Sequence, residues 1–245
     1  SLDRVSASSN MSNRLSEAIV AAYNKTTGAP ISFDSMLAAY RSRMKDPDKD
    51  DSISSILKQL QRANIFDTAD SADLINESFI IKMDGYPKDG PIAKAIVYFL
   101  MSKLNDIYQQ LDKQAVNDEV VEIRHFSIID EAHYMLSFDN RPLRELIAVG
   151  RNKGLSIILA TQNMADFKNK GFDFYANAQY PLIMKQQTID DKVIKDLFGA
   201  SGQELNEIRQ AIAGLQKGEL IIKDQLAFAL GMGKKYKKIN VTHLI

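Results

Sequence analysis

The chain has 245 residues, 45% of them apolar and 25% charged, a composition that is typical of a globular protein and excludes an intrinsically disordered one. Lysine plus arginine and aspartate plus glutamate number 31 each, so the formal net charge is zero and no global positive field draws the molecule to nucleic acid or membrane. The absence of cysteine excludes disulfides and thiolate zinc sites and favours a cytoplasmic location. The apolar runs are too short to cross a bilayer, so we expect no membrane partner.

The first 76 residues predict a helical appendage. Apolar residues recur at helical spacing in residues 15–23, 36–40 and 53–60. The sequence Thr-Gly-Ala-Pro at 27–30 separates the first of these helices from the second. We therefore place a domain boundary near residue 76.

Residues 77–245 predict an α/β core. The apolar run 79–83 precedes a turn and a long helical pattern that extends through Leu111. Further strands are predicted at His125–Ile129, 155–160, 180–185 and Glu219–Lys223, with helices between them and edge strands in 226–245. Continuous apolar strands that alternate with helices are typical of a mostly parallel sheet covered by helices on both faces.

The strand at 125–129 ends in two adjacent acids, Asp130 and Glu131, followed by Ala132 and His133. Ligands of α/β proteins bind at the carboxyl edge of the parallel sheet. There the first acid can hold the water shell of Mg²⁺, and the second can activate the water that attacks a γ-phosphate. The pair thus has the form of a Walker B motif. The structural alternative is a buried strand that ends in an acidic turn, and His133 is interpreted as a turn residue.

Residues 141–162 predict a helix, a turn containing Arg151 and a second buried strand that ends near Gln162. Because neighbouring parallel strands present their carboxyl ends together, Gln162 is expected beside Asp130 and Glu131, where its amide can sense a γ-phosphate. Arg151 precedes the strand and is expected at the opposite end of the sheet. From there it would reach a neighbouring subunit as an arginine finger, unless it is an ordinary surface arginine.

The two motifs together resemble the HerA/FtsK superfamily of RecA-like motor ATPases. The resemblance covers residues 126–162 in motif detail and about residues 78–225 in topology. It implies a RecA-like fold, ATP and Mg²⁺ as cofactors, and a hexameric ring that translocates DNA. It also implies that Asp130 and Glu131 are the Walker B acids, with Asp130 binding the metal through water. Gln162 and Arg151 take the places of the family's strand-end glutamine and arginine finger.

Two further resemblances involve shorter segments. Residues 51–57 and 79–85 are similar to DptH-type proteins, the ATPases of phosphorothioate-dependent DNA restriction, which implies a nuclease or restriction partner. Residues 130–133 also resemble motif II of DEAH-box helicases. Nothing after Gln162 resembles the arginine-rich second lobe of those helicases, so the HerA/FtsK interpretation is favoured.

The sequence contains no Gly-x-x-x-x-Gly-Lys-[Ser/Thr] phosphate-binding loop. The nearest string, Gly-Met-Gly-Lys-Lys at 231–235, has the wrong spacing and no hydroxyl after the lysine. We therefore expect the chain to be the carboxyl-terminal portion of a longer ATPase, consistent with its start at serine, and to be inactive alone. The alternatives are a non-catalytic scaffold or DNA-binding module with a degenerate ATPase fold, and a conjugation or secretion ATPase of the same superfamily.

Lysine-rich segments are the candidates for contact with the DNA backbone. One is the cluster near the end of the chain, and the other lies in the loop that follows Gln162. The residues are Lys168, Lys170, Lys234, Lys235, Lys237 and Lys238. Lysines on an edge hairpin also prevent strand-to-strand aggregation, and a packed surface loop is the alternative for the second segment.

Overall fold

The computed structural model describes residues 8–26, 31–64, 73–117, 120–169 and 172–241, and of Lys168 and Asn169 it describes only the backbone. Its internal contacts divide the chain into two compact units. The first comprises Ser1–Lys113 and Phe138–Leu143, and the second comprises Gln114–Ser137 and Arg144–Ile245. In the described ranges, no helix is both long and apolar enough to cross a membrane.

The first unit is helical. Its main helices are α1 (Ser9–Lys25), α2 (Phe33–Arg41), α3 (Ser52–Ala63) and α4 (Pro91–Gln110). These confirm the predicted helices of the first 76 residues and the long helix that follows them. The apolar faces of α1, α2 and α3 form one buried cluster of Ala18, Ala22, Leu37, Ala39, Tyr40, Ile53 and Leu57.

Residues 79–83 do not form the predicted strand. Their backbone has no regular secondary structure, and Ile80 is 85% exposed. An apolar run forms a strand only where a second strand accepts and donates its backbone hydrogen bonds. Within the described residues, no strand pairs with this segment.

Asp51 fixes the start of α3. Its Oδ1 accepts the Ser54 N–H at 2.8 Å, and the Ser54 hydroxyl accepts the Asp51 N–H at 2.8 Å, which is a capping box. Its Oδ2 accepts the Tyr40 hydroxyl at 2.6 Å and lies 3.4 Å from the Arg14 guanidinium. Burial alone would raise the pKa of Asp51, but these donors outweigh burial and the pKa is lowered. Burial and the Asp51 contact raise the pKa of Tyr40 to about 12.

The second unit is mixed α/β. Its helices lie between its strands in the sequence. The helix Arg141–Val149 begins in residues assigned to the first unit. The strands are β1 (Val116–Asn117), β2 (Val120–Val121), β3 (His125–Ile129), β4 (Leu155–Leu159), β5 (Lys168–Asn169), β6 (Phe172–Asp173), β7 (Leu182–Ile183), β8 (Glu219–Lys223) and β9 (Tyr236–Asn240). The helices are α5 (His133–Leu136), α6 (Arg141–Val149), α7 (Phe174–Asn177), α8 (Asp191–Phe198), α9 (Gly202–Ala213) and α10 (Gln225–Leu230).

The sheets of the second unit are small, and in the described residues only β3 and β4 pair in parallel. The remaining pairs, β1–β2, β5–β6 and β7–β8–β9, are antiparallel. The mixed α/β class and the predicted strands β3, β4 and β8 are confirmed. The strand predicted at 180–185 is reduced to Leu182–Ile183.

Residues 226–230 are helical, contrary to the edge strand predicted there. Asp224 caps α10 by accepting the Ala227 N–H at 3.2 Å. Gly231, with φ +64°, ends the helix in the left-handed conformation that suits glycine. Capping at both ends therefore stabilises a helix where the apolar composition predicted a strand. Within residues 226–241, the strand β9 alone joins the sheet of β7 and β8.

A single buried cluster anchors α8, α9 and β8. It contains Met164, Ile183, Val193, Ile194, Leu197, Phe198, Ala200, Leu205, Ile208, Ile212, Leu215 and Ile221. Met164 comes from the segment that follows β4, so that segment is attached to the core of the unit. This attachment matters for the site at the end of β4.

The first testable prediction concerns Asp51. We expect Asp51→Ala to lower the free energy of unfolding by about 1–2 kcal/mol, and Asp51→Asn to lower it less because asparagine is also a good N-cap. The folded-state pKa of Asp51 is lowered, so its charge stabilises the fold above the unfolded pKa and this stabilisation is lost as pH falls through the folded pKa. In urea unfolding, the advantage of wild type over Asp51→Asn should therefore shrink below pH about 4. An Asp51→Ala chain as stable as wild type would contradict this account.

Candidate functional site at the ends of two parallel strands

The backbones of β3 and β4 stay together beyond the ends of both strands. The register pairs Ile129 with Leu159. The Ala160 N–H then donates to the Ile129 carbonyl at 2.9 Å, and the Ala132 N–H donates to the Ala160 carbonyl at 2.7 Å. The turn after β3 and the residues after β4 are thus held side by side, which confirms the predicted adjacency of the two strand ends.

Glu131 and Gln162 are in direct contact at this edge. Gln162 Nε2 donates to Glu131 Oε1 at 2.7 Å. The Glu131 N–H donates to Asp130 Oδ1 at 2.9 Å, and Asp130 is exposed. The structure therefore brings Glu131 and Gln162 together as the sequence predicts, whereas the hydrogen bond of the Asp130 carboxylate is to the backbone of its sequence neighbour.

The backbone of Glu131 is strained. Its φ of +51° lies in the left-handed region, which costs a residue with a Cβ about 1–3 kcal/mol. The only other described non-glycine residue with positive φ is Asn64, which ends α3 in a C-cap conformation that asparagine commonly adopts. Backbone strain of this kind is concentrated at functional sites. The strained backbone belongs to the residue whose side chain contacts Gln162, which marks this turn as a candidate site.

The second carboxylate oxygen of Glu131 faces His133. His133 Nδ1 lies 3.2 Å from Glu131 Oε2, but the contact falls short of hydrogen-bond geometry. Both atoms are buried, and neither has a hydrogen-bond partner in the part of the chain that the structure describes. A buried polar atom without a hydrogen-bond partner is unfavourable and therefore calls for an explanation. This contact was not predicted from the sequence. The one signal for it is that His133 follows Glu131 by two residues, in the same turn.

The segment after β4 holds Gln162 in place. The Thr161 hydroxyl donates to Asp166, and the Tyr175 hydroxyl donates to the carbonyl of Met164, which is buried in the core cluster. Burial raises the pKa of Tyr175, and nearby carboxylates add to the shift, so its hydroxyl stays a donor. These contacts join residues five and eleven positions apart, and no sequence motif predicted them.

Arg151 lies far from the other predicted site residues of its own chain. It is exposed in the 3-10 turn Gly150–Lys153 before β4, whereas Gln162 follows the end of the same strand. The strand β4 lies between the two residues and spans about 13 Å from its first to its last Cα atom, which is more than the length of an arginine side chain. Gly154 closes the turn at φ +81°, where an added Cβ would lie 2.7 Å from the Glu122 carbonyl. The predicted separation of Arg151 from the acids is confirmed.

Three of the lysines predicted to contact DNA are paired with acids of their own unit. Lys235 lies 2.9 Å from Glu204, Lys237 lies 2.8 Å from Asp224, and Lys238 lies 2.7 Å from Glu219. Lys237 and Lys238 hold the pKa values of Asp224 and Glu219 below their usual range. The cluster therefore carries little net positive charge, and these pairs favour a structural role on β8 and β9.

Three further lysines are predicted to contact DNA. Lys234 is exposed, Lys170 lies outside the described residues, and Lys168 is described only as backbone of β5. The string at 231–235 has structural functions, since Gly231 ends α10 and Lys235 also donates to the Gly199 carbonyl at 3.0 Å. It is therefore no substitute for a phosphate-binding loop.

The residues at the strand ends fit a hydrated magnesium ion and a phosphate. Among the described residues, no three histidine, aspartate or glutamate side chains converge on a common metal position. Mg²⁺ in nucleotide sites commonly keeps several waters and takes one or two carboxylates together with phosphate oxygens. Asp130 is an exposed carboxylate of this kind, and the amide of the exposed Gln162 is a donor of the kind that binds phosphate oxygens.

The strain at Glu131 leads to a second prediction. Glu131→Gly and Glu131→Ala both remove the carboxylate, but only alanine keeps a Cβ in the left-handed conformation. We expect the glycine variant to be more stable than the alanine variant by about 1 kcal/mol in urea unfolding. Gln162→Gly and Gln162→Ala are the matched control, because φ at Gln162 is not positive and alanine should be the more stable there. Equal stability of the two Glu131 variants would show that the turn stores no strain.

Sequence comparison does not assign the chain to a family. No protein-family model matches it, and no curated protein matches it either. Its function must therefore be argued from the chemistry of its own residues, above all from the contact between Glu131 and Gln162.

Proposed function

We propose that this chain carries the Walker B half of an ATP-hydrolysing site and is part of a RecA-like motor ATPase of the HerA/FtsK type that translocates DNA. The observation that carries the proposal is the 2.7 Å hydrogen bond between Gln162 and Glu131 at adjoining strand ends, made from a Glu131 backbone with φ +51°. A buried strand that merely ends in an acidic turn requires neither the strained backbone nor the amide on the carboxylate. Both features favour a site over a turn.

Each side chain has a distinct part in the proposed reaction. ATP supplies the bond that is broken, and hydrated Mg²⁺ supplies positive charge beside its phosphates. The exposed Asp130 carboxylate would hold the ion by accepting hydrogen bonds from its water shell. Glu131 orients the attacking water and accepts its proton. The Gln162 amide donates to the γ-phosphate in the bound state and to Glu131 Oε1 in the state described above.

The proposal includes a larger parallel sheet around β3 and β4. Parallel sheets are normally buried on both faces. Phe126 and Ile128 lie on one face of β3 and are 55% and 70% exposed, so two large apolar side chains remain without cover among the described residues. This exposure supports the proposal that further chain packs there in the complete RecA-like core. The proposed organisation remains a helical appendage of residues 1–76 and a core of residues 77–245.

The location of Arg151 supports an active site shared between subunits. Arg151 is exposed at the end of β4 opposite to Gln162, so it cannot reach the acids of its own chain. In the proposed ring, Arg151 would contact the γ-phosphate of the ATP bound to the neighbouring subunit and so complete the active site of that subunit. The hexameric ring, the DNA substrate and the nuclease or restriction partner follow from the family resemblance and belong to the proposal, as does the cytoplasmic location.

One observation favours a second candidate, a non-catalytic scaffold. The printed sequence has no phosphate-binding loop, and Lys235, in the string closest to one, is engaged with Glu204. A RecA-like fold that has lost nucleotide chemistry would have both properties. The two candidates differ in whether the full-length protein hydrolyses ATP.

The third prediction concerns nucleotide binding by this chain. We expect isothermal titration calorimetry with Mg-ATP to show no micromolar affinity, because the chain lacks the backbone donors and the lysine that grip the β- and γ-phosphates. The full-length protein is the control and should bind. Micromolar binding to this chain would contradict the division of the site between two parts of the sequence.

The fourth prediction concerns the role of Glu131. In the full-length protein, Glu131→Gln should abolish ATP turnover and leave ATP binding intact, because the amide keeps the shape of the side chain but cannot accept a proton. Glu122→Gln makes the same change at an exposed residue before β3 and should leave turnover unchanged. Turnover that survives in Glu131→Gln would remove Glu131 from the mechanism. A wild-type protein that binds no ATP and has no turnover would favour the scaffold.

A further inference from the structure

The carboxylate of Glu131 lies between two nitrogen donors on different elements. Gln162 Nε2 contacts Oε1 at 2.7 Å from the segment after β4. His133 Nδ1 faces Oε2 at 3.2 Å from the first residue of α5. Together they restrict rotation of the carboxylate about its last side-chain bond, since each oxygen has its own neighbour.

The two neighbours differ in how firmly they are held. Gln162 is exposed, so its amide can turn toward a ligand without disturbing the core. His133 lies on a short helix that is anchored by the buried side chains of Met135 and Leu136. Its ring also packs against Tyr134, with the ring centroids 4.0 Å apart. His133 is therefore the fixed neighbour and Gln162 the movable one.

The contact between His133 and Glu131 is close to a hydrogen bond. Both atoms are buried without a hydrogen-bond partner in the described chain, an arrangement that is unfavourable for each of them. A small rotation of the imidazole, in the tautomer that carries hydrogen on Nδ1, would bring the N–H into line with Oε2 and satisfy both atoms. Such a donor would hold one oxygen of the carboxylate and leave the other for water.

On the basis of the function proposed above, we propose that His133 is a positioning residue that holds Oε2 of Glu131, while Gln162 leaves Oε1 to the attacking water. In the state described here, Gln162 occupies the oxygen that the water needs. Transfer of its amide to the γ-phosphate uncovers Oε1, and His133 keeps the carboxylate oriented while this happens. Gln162 would thus allow the attacking water to reach Glu131 Oε1 when nucleotide is bound.

The test compares His133→Phe and His133→Asn in the full-length protein. Phenylalanine keeps a ring against Tyr134 but has no donor, and a misplaced catalytic group reduces kcat by about 10²-fold. We expect this loss in His133→Phe with an unchanged KM for ATP, because the residue does not touch the nucleotide. Asparagine places an amide donor near the position of Nδ1 and should restore kcat by at least about tenfold relative to phenylalanine.

Several outcomes would overturn the proposal. A wild-type kcat in His133→Phe, together with no turnover in Glu131→Gln, would reject the role of His133 and leave the proposed function intact. Turnover in Glu131→Gln would reject the proposed function itself. An equal loss of kcat in both His133 variants would show a merely structural role. If the phenylalanine variant does not fold, kcat of the asparagine variant decides, with a value within about tenfold of wild type supporting the proposal and a loss of about 10²-fold overturning it.

A second measurement does not depend on turnover. In a crystal structure of the His133→Phe chain, the Glu131 carboxylate is expected to rotate away from its present plane while Gln162 keeps its place after β4. A carboxylate that retains its position and its contact with Gln162 would overturn the positioning role, whatever the kinetics of the full-length protein.

Discussion

The parallel pairing of β3 with β4 is the constraint on which the site depends. Its hydrogen bonds continue beyond both strands, through Ala160 and Ala132, and thereby fix where the two polar turns lie. Strand register in a sheet changes in whole-residue steps, and a slip by one residue would turn Glu131 or Gln162 to the other face. The contact between the carboxylate and the amide is thus a consequence of register, and the strained backbone of Glu131 completes it.

Much of the local structure follows from the sequence, because local signals determine it. The helices α1–α4, α8 and α9 follow apolar periodicity, and β3 and β4 follow unbroken apolar runs that end in polar residues. The meeting of Glu131 and Gln162 was also predictable, since adjacent parallel strands bring their ends together. Residues 79–83 and α10 were not predictable in this way. The first needs a partner strand, and the second depends on two caps whose signals compete with a strand-like composition.

The parts of the site that the sequence did not predict depend on backbone conformation and on tertiary packing. The position of His133 against Glu131 depends on a turn in which Glu131 has a positive φ. A glutamate in the sequence does not predict such a backbone conformation. The attachment of Met164 to Tyr175 depends on tertiary packing. The lysines near the end of the chain look like a basic patch in one dimension, but β8 and its flanking turn bring acids to two of them, and α9 brings one to the third. Charge counted along a sequence therefore overestimates the charge of a folded surface.

The location of Arg151 and Gln162 at opposite ends of β4 has a mechanical consequence for the proposed ring. One short strand connects Gln162, the proposed sensor of nucleotide, with Arg151, the proposed arginine finger. Because an extended backbone resists stretching, a displacement at one terminus of β4 would be transmitted to the other almost without loss. In the proposed ring, β4 would thus couple the nucleotide state of one subunit to its interface with the next.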